Sequence, residues 1–148
     1  MTLESLKIKE ELRHLIDTYA YLGDEKKIAE QMKLFTPDAT YKVYVGDFLA
    51  ADVLGTEALE KEFNGHAALV KTYFTMNGQH TVKIDDDTDT ATGISFSQIK
   101  MIRESSGKDV ITDYSVKYED KYICYKGQWL IQERIGYFII VESKPLNA

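Results

Sequence analysis

Asp24, His80 and Arg134 are the residues of this 148-residue chain whose chemistry suits proton transfer on a small molecule. An imidazole changes charge near neutral pH, and a carboxylate can accept a proton or orient an imidazole that does. A guanidinium can hold an anionic or oxygen-rich group. Tyr19, Tyr21, Tyr41 and Tyr44 add phenols that could polarise a carbonyl or enolate oxygen. Each residue also has an ordinary structural role open to it. Asp24, directly after Gly23, suits the N-cap of a helix. His80 at a strand start suits a structural histidine, and Arg134 suits an ion pair with Glu133 or another sheet carboxylate. His14 and His66 fall on polar stretches and read as solvated, and three histidines so dispersed have no metal-ligand spacing. The acidic run DDDTDT lacks the glycine and closing Glu of a calcium loop and reads as a polar turn. There is no phosphate-cradling glycine loop, nucleophile elbow or dinucleotide fingerprint, so no cofactor is expected.

A chain of this length fits one domain, residues 1–148, with one core. At 44% hydrophobic and 28% charged it has the composition of a folded protein. Its 24 acidic against 18 basic residues, a formal charge of −6, disfavour nucleic acid and anionic membrane surfaces as partners. The start, MTLESLKIKEEL, lacks the apolar run of a signal peptide, and the lone Cys124 cannot close an internal disulfide. A cytoplasmic location is the expectation. Cys124 itself reads as a half-buried apolar residue. Ten tyrosines suit either a pocket for a ring compound or a subunit interface.

These residues must be positioned by helices first and strands later. Leu3, Leu6, Ile8, Leu12, Leu15, Ile16, Tyr19 and Leu22 keep a helical period that Gly23 ends. Asp24 then caps a second helix over 25–35, stopped by Pro37-Asp38. Residues 39–54 alternate as a hairpin turning at Gly46-Asp47. Thr56 caps a third helix whose period runs to Phe74, kinked at Asn64-Gly65. Four strands follow over 78–85, 91–104, 109–125 and 128–144, with Gly93 and Gly136 as marks of bulges or bends. This order predicts an α+β fold in which a strongly curved antiparallel sheet packs around N-terminal helices and leaves an apolar pocket.

Three stretches carry a family resemblance. IDTYAYLGDEKKIAEQMKLFTPDATYKV holds a helix, an Asp just after it, and the phrase Phe35-x-x-Asp38-Ala39-x-Tyr41. NGQHTVKI holds His80 at the start of a strand, and YEDKYICYKGQWLIQERIGY holds Gly127, Trp129 and, five residues on, Arg134. Together they resemble the nuclear transport factor 2-like cone fold and, within it, the SnoaL-like group of polyketide cyclases, scytalone dehydratase and hexachlorocyclohexane dehydrochlorinase. The resemblance implies a working pair, with His80 as general base, Asp24 as its orienting partner, and Arg134 with Tyr19, Tyr41 and Tyr44 holding substrate. Two departures stand out. Gly23 occupies the place before Asp24 where scytalone dehydratase carries a tyrosine, and the strand ATGISFSQIKMIRE has no second pocket histidine, leaving a Tyr, Ser95 or Ser97 to take its part.

The resemblance therefore implies a cofactor-independent lyase or isomerase acting on a small apolar oxygenated ring compound. The alternative is a non-catalytic pocket domain, a carrier or sensor. An exposed sheet face such as GYFIIVE favours a homodimer in either case.

Overall fold

The computed structural model describes residues 2–147. Helix α1 (Leu3–Asp24) starts at a capping box in which Thr2 and Ser5 bond reciprocally, and it buries Ile8, Leu12, Leu15, Ile16, Tyr19 and Leu22 along one stripe. The helix runs through Gly23 and ends on Asp24, one residue past the expected stop. A Cβ on Gly23 would lie 2.8 Å from Gln31 Nε2 and displace that amide from its bond to the Tyr19 carbonyl. Asp24 is thus a C-terminal helix residue and caps nothing. The left-handed residue of the turn is Lys26 (φ 59°), and α2 is the short segment Ile28–Met32.

Strands β1 (Phe35–Val45) and β2 (Phe48–Leu54) form the expected hairpin, although β1 already begins before Pro37. Helix α3 (Thr56–Ala67) contains Asn64-Gly65 without a break in the helix and is capped by Gly55; its apparent continuation to Phe74 is already strand. Strands β3 (Thr72–Ile84), β4 (Thr90–Ser105), β5 (Lys108–Tyr125) and β6 (Gln128–Pro145) complete an open six-stranded sheet in the order β2-β1-β6-β5-β4-β3. The sheet is mixed, because β1 lies parallel to β6 while every other pair is antiparallel. The helices fill its concave side, where Leu12, Ile16, Leu59 and Ile131 are almost wholly buried.

Two β-bulges decide which side chains face those helices. In β3, Asn77 pairs with Ser97 but His80 pairs with Ser95, so β3 carries one extra residue. Because the side-chain period is two, the inward row changes from Tyr73, Thr75 and Asn77 to His80, Val82 and Ile84. In β6 the pairs Ile131–Tyr122 and Glu133–Lys121 enclose a second extra residue, which turns Arg134 inward.

Arg134 then meets Asp120, and the two side chains are 3% and 0% exposed. The guanidinium Nε donates to Asp120 Oδ1 at 2.8 Å and its second amino group to Oδ2 at 3.1 Å. Tyr122 also donates to Oδ2 at 2.8 Å and lies 3.1 Å from His80 Nε2. Gly93 and Gly136 sit at no bulge and serve this network instead. A Cβ on Gly93 would lie 2.8 Å from the Tyr122 ring and 3.0 Å from His80 Nε2, and one on Gly136 would lie 3.0 Å from the Tyr118 ring.

Replacing Asp120 by Asn leaves the Arg134 charge buried without its counter-ion, and the stability loss should be about 3–5 kcal/mol. Chemical denaturation of wild type and variant measures it; a loss below about 1 kcal/mol would contradict a charge-dependent pair. Gly93→Ala forces Tyr122 and His80 to move and should cost about 1–3 kcal/mol. An unchanged unfolding midpoint for Gly93→Ala would show that the rings yield freely.

Candidate functional site

A cavity of about 340 Å³ lies between α1, α3 and the concave sheet, large enough for a small ring compound. Its apolar wall includes Ile28, Val43, Phe63, Ile99, Met101 and Phe138. Its polar groups come from Asp24, Gln31, Glu62, His66, Thr75, Asn77, Ser97 and Arg134 and from the phenols of Tyr19, Tyr41, Tyr73, Tyr114 and Tyr118. The cavity is not filled by the protein's own side chains.

Asp24 reaches the cavity from the end of α1 because β3 passes beneath that helix end. Thr75 anchors both carboxylate oxygens, its backbone N–H donating to Oδ2 at 2.8 Å and its hydroxyl to Oδ1 at 2.7 Å. Two bonds from one residue fix the carboxylate plane. Beside it, Ser97 donates to Asn77 Oδ1 at 2.6 Å, and the Asn77 amide donates to Asp17 Oδ1 and to the Ile16 carbonyl. Ser95 is buried one pair further along with no partner for its hydroxyl.

The expected Asp24–His80 pair is not formed. Asp24 is taken by Thr75, and His80 faces Tyr122 below the cavity, outside its lining. The physical reason is the β3 bulge, which aligns His80 with Val82 and Ile84, several residues down the strand from Thr75. Burial lowers the His80 pKa, with Asp120 pulling the other way, so the ring is neutral at neutral pH.

Arg134 both makes an ion pair and lines the cavity. Its guanidinium carbon lies 3.8 Å from the Tyr118 ring centroid and 4.4 Å from that of Tyr19, a cation between two aromatic faces. Burial opposes its charge most strongly, but the charge and hydrogen bonds of Asp120, with Tyr19 and Tyr118, together outweigh burial and hold it protonated. Burial raises the pKa values of Tyr19, Tyr41 and Tyr118, the first partly offset by Arg134, so all three phenols stay protonated as donors. Tyr19 and Tyr41 are on the cavity wall as expected. Tyr44 is not: it alternates with Val43 and Val45 to the opposite face of β1, where it stacks on Tyr137 at 5.5 Å. Tyr21 is 57% exposed.

The histidine that does line the cavity is His66, expected to be solvated. Its Nδ1 lies 2.6 Å from the Tyr73 hydroxyl. Nothing in the local sequence marks it, because the strand it meets begins six residues later and had the appearance of helix. Among the described residues no group of acidic, histidine or cysteine side chains could hold a metal ion, and no helix is long and apolar enough to cross a membrane.

Solved structures share this architecture. One described as a putative scytalone dehydratase from Novosphingobium aromaticivorans is 19% identical, with a TM-score of 0.83 over 100% of this chain and 95% of that one. Hexachlorocyclohexane dehydrochlorinase LinA-type3 from Novosphingobium barchaimii is 14% identical, with a TM-score of 0.80 over 99% and 94%. The beta subunit of a putative aromatic-ring-hydroxylating dioxygenase from Novosphingobium aromaticivorans is 13% identical, with a TM-score of 0.77 over 93% of each chain. At these identities the likeness establishes the nuclear transport factor 2-like cone fold. No curated protein matches the sequence. The family model of the SnoaL-like domain matches residues 4–135, nearly the whole length, and the chain belongs to that family.

Proposed function

We propose that this protein is a cofactor-independent lyase or isomerase that moves a proton on a small, largely apolar, oxygenated ring compound. The observation that carries the reading is the Asp24 carboxylate, held at both oxygens by Thr75 on the wall of an apolar cavity that Arg134 also lines. Membership of the SnoaL-like family and the likeness to proteins described as a dehydratase and a dehydrochlorinase support it.

In this reading Asp24 is the general base, the part expected of His80. Its carboxylate takes a proton from a ring carbon next to a carbonyl, and the C–H electron pair becomes the enolate double bond. The developing oxyanion is met by donors that are already in place: the Arg134 guanidinium and the protonated phenols of Tyr19, Tyr41 and Tyr118. Asp24 and Arg134 line the same cavity, and the Asp24 charge acts on the Tyr118 phenol whose ring faces Arg134, so the base and the oxyanion donors share one ligand space. Returning the proton to another carbon completes an isomerisation, and loss of a neighbouring group completes an elimination. His80 acts from behind, through Tyr122 and Asp120, as a positioning residue for Arg134.

The test is exchange of the α-hydrogens of 1-tetralone in deuterium oxide, read by NMR. Wild type should accelerate exchange, and Asp24→Asn should slow it by about a hundredfold or more. Exchange at the wild-type rate in Asp24→Asn would overturn the base assignment. Tight binding of the ketone with no exchange would favour a carrier or sensor.

We also propose a homodimer through the outer sheet face, where Ile140 is 59% exposed beside the 60% exposed Ile139. Sedimentation should give twice the chain mass at micromolar concentration; the mass of a single chain would exclude it.

A further inference from the structure

Tyr73 and His66 line the cavity but have no part in the proton abstraction assigned to Asp24. Tyr73 stands two residues before Thr75 in the same inward row of β3, so its phenol and the Asp24 carboxylate serve one wall. His66 comes from the last turn of α3 and meets it there, the rings 5.8 Å apart and 29° from parallel. His66 Nδ1 is 2.6 Å from the Tyr73 oxygen. Arg103 follows Ile99 and Met101 along β4, and its charge acts on both groups; its Nε is buried without a partner. Lys26 lies 6.0 Å above the Tyr73 ring, its ammonium bonded to the Val70 carbonyl.

Partial burial and then Arg103 lower the His66 pKa, so the imidazole is neutral at neutral pH and one of its nitrogens is bare. Burial pushes the Tyr73 phenol up to about 12, so it keeps its proton. A bare Nδ1 fits the short contact to Tyr73. An O–H donor makes shorter bonds than an N–H donor, and 2.6 Å suits a phenol giving its hydrogen to a ring nitrogen. The Nε2 hydrogen is then left for the side of Glu62, one helical turn earlier, whose carboxylate raises the His66 pKa.

We propose that Tyr73 and His66 form a proton-accepting subsite for a phenolic or enolic hydroxyl on a ring ligand. The inference rests on reading the cavity as a ligand site. With its own hydrogen committed to His66, the Tyr73 oxygen offers lone pairs to the cavity and accepts the ligand O–H. As the ligand proton moves to Tyr73, the Tyr73 proton passes to His66 Nδ1. The O–H bond of the ligand breaks, a new O–H bond forms on Tyr73, and an N–H bond forms on His66. The ligand is left as an oxyanion beside Tyr73, and His66 as an imidazolium; the reverse transfer restores both. No electrons are exchanged with any partner.

Two measurements test it on the full chain. The first is the 15N NMR spectrum of His66 near neutral pH. A neutral ring protonated at Nε2 and bare at Nδ1 is expected; hydrogen on Nδ1, alone or in an imidazolium, would overturn the proposal. The second compares binding of 4-nitrophenol and nitrobenzene, which differ by the hydroxyl. Wild type should favour the phenol by about tenfold, and Tyr73→Phe should erase the preference. Equal binding of the two by wild type, no binding of 4-nitrophenol, or a preference that Tyr73→Phe retains would overturn it. Neither measurement depends on Asp24 acting as a base, and the tetralone exchange does not depend on Tyr73. Failure of one assignment is therefore distinguishable from failure of the other.

Discussion

A guanidinium stays inside a protein only when its charge and its N–H groups are answered, because an uncompensated buried ion costs several kcal/mol. Arg134 meets that condition with a two-point bond to Asp120 and an aromatic face on either side. Much of the rest of the domain is arranged to keep those partners in place. Tyr19 comes from α1, Tyr118 and Asp120 from β5, and Tyr122 buttresses the carboxylate from one inward position further along β5. The first helix and the two central strands are thereby tied to one charge.

That charge has a second effect, on the cavity. A buried cation beside three protonated phenols makes one end of an otherwise apolar space suited to a negative oxygen. The Asp24 carboxylate sits elsewhere on the wall, held by Thr75 on the outermost strand of the sheet. The separation matters: an aspartate bonded to Arg134 would be held as its counter-ion, as Asp120 is, and would not be free to act on a ligand. Asp120 already fills the place beside Arg134, which leaves Asp24 free of it.

The element order and the helix-filled curved sheet were readable from periodicity; the place of Arg134 at a pocket came only with the family resemblance. Tyr19 and Tyr41 reached the cavity because each belongs to a regular element whose buried face is evident in sequence, whereas Asp24 reached it as the last residue of α1 and not as the expected cap. His80 and Tyr44 did not. Alternation along β1 sends Tyr44 to the outer face, beside a Tyr137 that is nearly a hundred residues away in sequence. His80 turns inward through a bulge but arrives at the wrong depth. His66 was overlooked because its partner, Tyr73, lies in a segment whose apolar spacing imitates a continuation of α3.

Composition by itself determined the acidic balance, and periodicity the α+β class and the succession of helices and strands, because those follow from local hydrophobic spacing. The tertiary structure alone decided the chemistry. Which residue meets Asp24, which histidine sees the cavity and which carboxylate answers Arg134 all depend on pairing between distant strands. There, a single extra residue in a bulge reverses the face of every side chain beyond it, and nothing in the local spacing records that reversal.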